Sequence, residues 1–285
     1  VSLSGLDYAR VTAADMDQDR ILEIAITSGS NFKLTDHRGE VLGSFMGTTP
    51  HTARKPGIFA DIDGKLDANG HSLEWVLSTT IDPDFGSELC FTRMNRVDRT
   101  TEFICSGERT YDNGQLVAGD LNNDGSIEVV AQTWDSSIKV FSYDGTVDNL
   151  VLKAEVPSFD GMPVYATGIS LADTNGDGNL EVLFSTGYRL DFSFWSGRVF
   201  SVSFDFGNNW QPYDACPNCY NTEVVEFPDG KSASPVEGYR LLTGDFSGAG
   251  RSEIQATIQY GNANADGTPD YGQFWIMYDF LFDGR

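Results

Sequence analysis

Side-chain oxygens recur at a fixed spacing in this sequence, and the chemistry that they could perform is the binding of a hard cation. In three segments, Asp or Asn occupies the first, third and fifth positions, and Glu occupies the ninth. These segments are 15–23, 120–128 and 173–181, and we name them loop 1, loop 3 and loop 4. The alternation directs three side chains to one side of a tight loop, and the glutamate can close the ring of ligands. A flexible set of carboxylate oxygens suits Ca²⁺ better than Mg²⁺, which requires a near-ideal octahedron.

Two further segments are variants of the same pattern. Loop 2 (61–74) contains extra residues between its first acids and its final glutamate. Loop 5 (245–253) has Ser and Ala at its third and fifth positions, which leaves only Asp245 and Glu253 as ligands. We therefore expect no ion in loop 5.

Neither an EF-hand nor an ordinary turn explains the three complete loops as well as a Ca²⁺ site of this spacing does. An EF-hand needs a bidentate Glu at position twelve and flanking helices. Position twelve here is Ile26, Ala131 or Phe184, each inside an apolar, strand-like run. Asp, Asn and Gly also favour ordinary turns. Turn propensity explains one such loop, but not three complete copies that each place Glu at the same offset.

The elements that must position these loops are short β-strands. An apolar run precedes each loop, another follows it, and alternating strands such as 137–143 and 197–204 come next. The final glutamates of the five loops, spaced by 51, 54, 53 and 72 residues, are Glu23, Glu74, Glu128, Glu181 and Glu253. About four strands per repeat predict an all-β protein, a single β-propeller of five blades of antiparallel strands with the acidic loops between strands. The predicted blades of this single domain (1–285) cover approximately 1–56, 57–114, 115–164, 165–237 and 238–285.

The pattern Asp-x-Asp/Asn-x-Asp-Gly-x-x-Glu between two short strands, repeated at about fifty residues, resembles the FG-GAP or VCBS repeats of the integrin α-subunit propeller and related secreted propellers. This resemblance implies about three Ca²⁺ ions, and a fourth if loop 2 also binds one. The implied ligands are Asp15, Asp17, Asp19 and Glu23 in loop 1; Asp120, Asn122, Asp124 and Glu128 in loop 3; and Asp173, Asn175, Asp177 and Glu181 in loop 4. The candidate ligands in loop 2 are Asp61, Asp63, Asp67, Asn69 and Glu74. In loop 1, Arg20 replaces the glycine at position six, which we expect to strain the turn without removing a ligand.

The charge of the chain excludes one class of partner and favours another. Asp and Glu number 42 against 19 Lys and Arg, which gives a formal net charge of −23. Such a chain would repel nucleic acid phosphates, whose capture needs clustered basic side chains. Cations are its natural partners. No apolar run approaches the roughly 20 residues of a membrane-spanning helix, so we expect no direct membrane insertion.

The four cysteines indicate the compartment. Cys90 and Cys105 lie in two strand-like runs joined by a polar turn, and Cys216 and Cys219 form Cys-Pro-Asn-Cys in a loop. The even count and this pairing favour two disulfides in a secreted, extracellular protein. A zinc or redox half-site at Cys216 and Cys219 is the alternative, but it would need a second ligand pair or a βαβ setting.

These observations predict an extracellular, calcium-stabilised propeller that acts as a binding, adhesion or assembly module for a protein or a glycan. Trp210, in polar and turn-rich surroundings, is a candidate for stacking on a sugar, or alternatively for packing against the neighbouring disulfide. Three scattered histidines and no recognisable nucleophile motif disfavour an enzyme, and we assign no catalytic residue. A carbohydrate-active enzyme such as a polysaccharide lyase is the alternative function.

The last repeat lacks an outermost strand in the sequence. Residues 1–6 could supply that strand and join the two ends of the chain, or the chain could be part of a larger propeller. A neighbouring subunit could also donate it, which would make the protein a structural subunit of an extracellular filament that self-assembles through the chain termini.

Overall fold

The computed structural model of the chain is all-β, in agreement with the predicted class. The residues that it describes are 10–15, 20–28, 31–46, 57–65, 74–82, 86–94, 101–110, 115–133, 135, 137–159, 162–163, 166–186, 199–215, 225–226, 232–244, 252–263 and 269–280. Within these ranges, no helix is long and apolar enough to cross a membrane.

Five four-stranded antiparallel sheets follow one another along the chain, and each sheet orders its strands as the chain does. Sheet 1 contains β1 (Arg10–Ala14), β2 (Glu23–Ser28), β3 (Asn31–Thr35) and β4 (Val41–Met46). Sheet 2 contains β5 (Ile58–Ala60), β6 (Glu74–Asp82), β7 (Gly86–Met94) and β8 (Thr101–Arg109). Sheet 3 contains β9 (Leu116–Gly119), β10 (Glu128–Gln132), β11 (Ile138–Asp144) and β12 (Asn149–Val156).

The remaining strands form one small hairpin and two further sheets. The hairpin pairs β13 (Ser158–Phe159) with β14 (Met162–Pro163). Sheet 4 contains β15 (Ala166–Ala172), β16 (Glu181–Thr186), β17 (Val199–Asp205) and β18 (Gln211–Asp214). Sheet 5 contains β19 (Val225–Glu226), β20 (Ser232–Gly244), β21 (Glu253–Ala263) and β22 (Pro269–Phe280). Each sheet thus has four strands, as expected, although β19 and the start of β20 lie upstream of residue 238, where the fifth blade was predicted to begin.

Every acidic loop joins two paired strands of its sheet at the same register. The residue before the first acid pairs with the final glutamate, which is the first residue of the following strand. These pairs are Ala14–Glu23, Ala60–Glu74, Gly119–Glu128, Ala172–Glu181 and Gly244–Glu253. In each pair, the residue opposite the glutamate is a small one, Ala or Gly. The extra residues of loop 2 therefore leave the strand pairing unchanged.

The fold divides into two compact units. The first comprises residues 1–120, 125–135 and 139–153 and contains sheets 1 and 2 with most of sheet 3. Its core joins sheets 2 and 3 through fully buried side chains such as Phe91 and Phe141. Such contacts exclude water from large apolar surfaces, which is the main stabilising contribution to a β-sheet protein of this kind.

An ion pair also connects sheet 2 to sheet 3 in the first unit. Lys139 of β11 is buried, and its Nζ lies 2.9 Å from Glu108 Oε2 and 3.3 Å from Asp135 Oδ2. Burial lowers the pKa of Lys139, but the hydrogen bond and charge of Glu108, together with Asp135, outweigh it and raise the pKa above its usual value. Lys139 is therefore held as a cation at neutral pH.

The second unit comprises residues 121–124, 136–138 and 154–285 and contains sheets 4 and 5. Val182, Phe184 and Val202 are completely buried in sheet 4. The Thr243 hydroxyl of β20 donates a hydrogen bond to the carbonyl oxygen of Leu171 on β15 at 2.9 Å. The two strands that precede loops 4 and 5 therefore lie side by side.

The first unit repeats this arrangement at its own sheets. The Thr12 hydroxyl of β1 donates to the carbonyl oxygen of Gly57, the residue before β5, at 2.6 Å. Contacts also join β5 to β9. Within each unit, neighbouring sheets thus meet through the strands that enter the acidic loops.

Sheet 5 differs from the other sheets in the position of one strand. Because loop 5 follows β20, the strands β20, β21 and β22 correspond to the first three strands of sheets 1 to 4. The short β19 pairs with the other edge of β20. Over the described ranges, β22 pairs with β21 alone. Residues 1–6, which could add a strand here, lie outside the described residues.

Candidate metal-binding loops

Loop 4 is organised around its first acid. Asp173 Oδ1 accepts hydrogen bonds from the backbone N–H groups of Gly176 at 2.6 Å and Asp177 at 3.2 Å. Its Oδ2 accepts a third from Gly178 at 3.0 Å. The carboxylate thus satisfies three donors of its own turn, which is how Asp stabilises tight loops generally. One carboxylate therefore holds the backbone of positions four to six of the loop.

The same backbone bond recurs in loops 1 and 3. The N–H of position six donates to Oδ2 of position one, from Gly125 to Asp120 at 2.7 Å and from Arg20 to Asp15 at 2.8 Å. The three loops therefore share one backbone conformation at this point, as their shared spacing predicted.

A second recurrent bond links positions three and five. The backbone N–H of Asp177 donates to Asn175 Oδ1 at 2.8 Å, and that of Asp124 donates to Asn122 Oδ1 at 3.1 Å. In loop 1, Asp17 and Asp19 lie outside the described residues. Loops 3 and 4 thus agree at four of their first six positions.

Position six requires a left-handed backbone in every complete loop. The φ angles are +89° at Gly125, +91° at Gly178 and +70° at Arg20. Glycine adopts this region without steric cost, whereas a side chain with a Cβ does not. The strain expected for Arg20 is therefore present in the backbone of loop 1.

The ninth-position glutamates are buried. Glu23 and Glu128 are each 2% exposed, and Glu181 is 0% exposed. Burial raises the pKa of Glu181, and the nearby charges of Asp177 and Asp173 raise it further, against hydrogen bonds from Thr174 that lower it. A buried carboxylate beside other acids is costly without a compensating positive charge.

Thr174 is a contributor that the sequence pattern does not identify. Its backbone N–H and its hydroxyl both donate to Glu181 Oε2 at 2.7 Å. The hydroxyl also lies 3.3 Å from the Ser201 hydroxyl on β17. Position two is an apolar, buried residue in loops 2 and 3, namely Ile62 and Leu121. A polar residue at this otherwise apolar position is the signal in the sequence that could have identified it.

Asparagine holds the carboxylates of loops 3 and 4 through its amide nitrogen. Asn175 Nδ2 donates to Asp177 Oδ2 at 3.0 Å and to Glu181 Oε1 at 3.1 Å. Asn122 Nδ2 donates to Asp124 Oδ2 at 2.8 Å. The amide N–H groups thus point to the oxygens that a cation would bind. Rotation of the amide would turn its oxygen, in place of its N–H groups, toward a cation. Partial positive charge from an amide therefore substitutes for a cation in this arrangement.

Loop 1 contains the oxygen atom that most directly fits a cation. Asp15 Oδ1 is buried and has no hydrogen-bond partner among the described residues, whereas Asp15 Oδ2 accepts the N–H of Arg20. An unsatisfied buried oxygen costs free energy that a ligand would recover. The residues present at position one of this loop therefore fit a bound metal ion.

The carboxylates of loops 3 and 4 do not converge on a common centre. Among the described His, Cys, Asp and Glu residues, the one group of three with ligand atoms within 4.8 Å of one another is Glu88, Cys90 and Cys105. These two cysteines form a disulfide, so they offer no thiolate to a metal. Ion binding in loops 3 and 4 would therefore require side-chain rotation.

Loop 2 is described only in its first half. The backbone N–H of Gly64 donates to Asp61 Oδ1 at 2.9 Å, and that of Lys65 donates to Asp63 Oδ1 at 2.9 Å. Burial raises the pKa of Asp61, and the charge of Asp63 adds to this shift. Asp67 and Asn69 lie outside the described residues, and for Glu74 only the strand position is described. In loop 5, residues 245–251 also lie outside the described residues.

The predicted disulfide between Cys90 and Cys105 is confirmed. The two residues are directly paired on β7 and β8, and their Cα atoms lie 4.1 Å apart. Cys216 and Cys219, the other predicted pair, lie outside the described residues.

Trp210 lies at the end of the turn between β17 and β18 and is partly buried. Its ring packs edge-on against Phe206, with centroids 4.9 Å apart, and lies 6.1 Å from Phe204. Its φ angle is +58°, in the left-handed region. Trp210 is therefore part of an aromatic cluster on sheet 4, and the partner of its remaining surface stays a prediction.

Comparisons with known proteins agree with the repeat. Residues 120–184 match the FG-GAP-like repeat family, and this range contains both loop 3 and loop 4. No curated protein sequence matches the chain. Two similar solved structures are propellers. The Dos1 propeller is 11% identical, with a TM-score of 0.45, and the match covers 95% of this chain and 70% of that one. The Cps50 (Swd1) β-propeller domain of Myceliophteria thermophila is 8% identical, with a TM-score of 0.38, and the match covers 95% of this chain and 84% of that one.

A third similar structure is a fructofuranosidase from Schwanniomyces occidentalis complexed with fructose. It is 9% identical, with a TM-score of 0.41, and the match covers 92% of this chain and 55% of that one. The chain thus contains an FG-GAP-like repeat and matches β-propeller structures.

Proposed function

We propose that this protein is an extracellular β-propeller, stabilised by Ca²⁺ in loops 1, 3 and 4, that acts as a binding, adhesion or assembly module. The observation that carries the proposal is the repeated geometry of these loops. A buried glutamate begins a strand at one fixed register, and an aspartate of the same loop fixes the turn. In this proposal the five sheets are the blades.

Electrostatics supports a cation in these loops. Like charges about 4 Å apart repel by roughly 1 to 4 kcal/mol per pair, depending on the effective dielectric. In loop 4, the charges of Asp173 and Asp177 act on the buried Glu181, in a chain whose net charge is −23. A divalent cation changes this repulsion into attraction and stabilises the folded state by mass action. Its role in the protein is then structural, holding together the two strands that each loop joins.

The disulfide supports an extracellular location. Structural disulfides persist in oxidising compartments and are rare in the cytosol. Cys90 and Cys105 are bonded across two strands, and Cys90 is completely buried. This pair therefore has the character of a structural disulfide in a secreted protein.

A glycan ligand would contact the aromatic cluster at Trp210 in this proposal. The ring is partly exposed, and the exposed residues Asn208, Asn209 and Gln211 beside it could bond to sugar hydroxyls. Intrinsic fluorescence during titration with a glycan panel tests the proposal. We expect a saturable change that Trp210→Ala removes, and binding by that variant with unchanged affinity would exclude this contact.

Assembly through sheet 5 is a second candidate function that a specific observation favours. In the described ranges, β22 pairs with β21 alone, and it occupies the place of a third strand. An added strand there could come from residues 1–6 or from a second copy of the chain. Light scattering distinguishes the two sources. A monomer at all concentrations would contradict assembly, and filaments would support it.

Calcium titration of single-site variants tests the proposed sites. Asp15→Asn, Asp120→Asn and Asp173→Asn are each expected to reduce the number of bound Ca²⁺ ions by one, as measured by isothermal titration calorimetry. Asp36→Asn is the matched control, because Asp36 also accepts backbone N–H groups in a turn but belongs to no acidic loop. Unchanged stoichiometry in all three loop variants would contradict the proposal.

A further inference from the structure

Loop 2 has the backbone of a metal loop in its first five positions. The N–H of position four donates to Oδ1 of position one in loop 2 and in loop 4, from Gly64 to Asp61 and from Gly176 to Asp173. The N–H of position five donates to Oδ1 of position three in loops 2, 3 and 4. Position four also has a left-handed φ in all three loops: +64° at Gly64, +56° at Asn123 and +78° at Gly176. Loop 2 therefore follows the conformation of the proposed metal loops as far as residue 65.

Position five of loop 2 is the point of difference. The three complete loops have an aspartate there, namely Asp19, Asp124 and Asp177, whereas loop 2 has Lys65. An ammonium group has three donors and no acceptor, so it cannot ligate a cation. Its own charge also repels one. The ligand at position five has thus been replaced by a positive charge.

The ammonium of Lys65 contacts sheet 3. Lys65 Nζ donates to the hydroxyl oxygen of Tyr143 on β11 at 3.1 Å and lies 5.0 Å from the centroid of its ring. The Tyr143 hydroxyl in turn donates to Asp148 Oδ1 in the turn between β11 and β12. The Tyr143 ring packs edge-on against the buried Phe91 at 5.9 Å. Lys65 therefore connects loop 2 to a side chain that is packed against the hydrophobic core of the first unit.

We propose that Lys65 takes the place of the metal ligand at position five of loop 2, so that residues 61–65 hold their conformation without calcium and are joined to sheet 3 through Tyr143. Only the part of this proposal that concerns calcium binding rests on the proposed function. It removes Asp61, Asp63 and the other candidates of loop 2 from the set of calcium ligands.

The number of Ca²⁺ ions bound by the wild-type protein and three variants tests whether loop 2 binds calcium. By calorimetry with Ca²⁺, Asp63→Asn should bind as many ions as the wild-type protein, and Lys65→Asp should bind one more. Lys153→Asp is the matched control, because it makes the same charge change at an exposed lysine outside the acidic loops and should add no ion. Loss of an ion in Asp63→Asn, or no additional ion in Lys65→Asp, would overturn the proposal.

Thermal unfolding in excess chelator tests the contact between Lys65 and Tyr143 independently of any metal. Lys65→Met and Tyr143→Phe should each lower the melting temperature, and the double variant should lose less than the sum of the two single losses. Additive losses of melting temperature would contradict a stabilising contact between Lys65 and Tyr143. If the wild-type protein binds no calcium, the proposed function fails, and this double-mutant cycle still decides whether Lys65 stabilises the contact of loop 2 with sheet 3.

Discussion

At the scale of single residues, asparagine gives loops 3 and 4 a means of remaining folded without an ion. Asn175 donates both to Asp177 and to Glu181, so its amide partly neutralises the repulsion that these acids would otherwise experience. Asp17 occupies the equivalent position of loop 1 and carries a carboxylate in place of the amide. The order of calcium affinity should therefore follow the charge of position three.

Asn175→Asp should change the stability of the metal-free and metal-bound protein in opposite directions. Without calcium, the variant loses two amide hydrogen bonds and gains a charge among acids, which costs about 1 to 2 kcal/mol. With calcium, the added carboxylate should tighten loop 4 by about 1 kcal/mol, or roughly fivefold in Kd. Urea unfolding in chelator and calcium titration measure the two effects. A decrease in stability without a gain in affinity would contradict the proposed role of position three.

Position six offers a test of backbone strain. Arg20 has a φ of +70°, a conformation that costs a side-chain-bearing residue about 1 to 2 kcal/mol. Glycine loses about 0.5 to 1 kcal/mol more conformational entropy on folding, so Arg20→Gly should stabilise the protein by roughly 0.5 to 1 kcal/mol. Urea denaturation at fixed calcium measures the gain. Arg38→Gly, at an exposed arginine without positive φ, serves as the control and should not stabilise the protein.

At the scale of elements, the sequence predicted the strand-loop-strand repeat well because its signals are local. Turn residues, the ninth-position glutamate and the following β-branched run all lie within one short segment. Even the longer loop 2 preserves the pairing of Ala60 with Glu74. Strand pairing was therefore predictable wherever one hairpin contained all of its determinants.

The contacts that depend on distant segments could not be predicted in this way. Lys65 and Tyr143 are separated by 78 positions, and nothing in either segment indicates the other. The hydroxyls of Thr174 and Ser201, which lie 3.3 Å apart, are likewise separated by 27 positions. The sequence pattern identifies candidate ligands, whereas their orientation follows from packing between elements.

Within sheet 2, the disulfide between β7 and β8 should contribute substantially to stability. Cys90 and Cys105 are separated by 15 positions. Closing a loop of about this length stabilises the protein by roughly 3 kcal/mol, because it lowers the conformational entropy of the unfolded chain. Cys90→Ala combined with Cys105→Ala should lower the free energy of unfolding by about that amount in non-reducing urea titrations. The corresponding loss in the wild-type protein on adding reductant provides the control. Equal stability of the two proteins in oxidising buffer would contradict this prediction.

At the scale of the whole molecule, charge and repetition lead to the same account. The chain carries a formal net charge of −23, and its acids recur in loops that each join two strands of one sheet. Neighbouring sheets in each unit meet through the strands that enter these loops, as Thr12 with Gly57 and Thr243 with Leu171 show. An ion in a loop would therefore strengthen the region where neighbouring sheets meet.

The measurement that tests this account most directly is the thermal unfolding of the wild-type protein in calcium and in excess chelator. A ligand at 100 times its Kd stabilises the folded state by about 2.7 kcal/mol per site, so several occupied loops should raise the melting temperature by many degrees. Magnesium at the same concentration should raise it much less. A melting curve that is identical in calcium and in chelator would contradict the central claim that calcium holds this fold together.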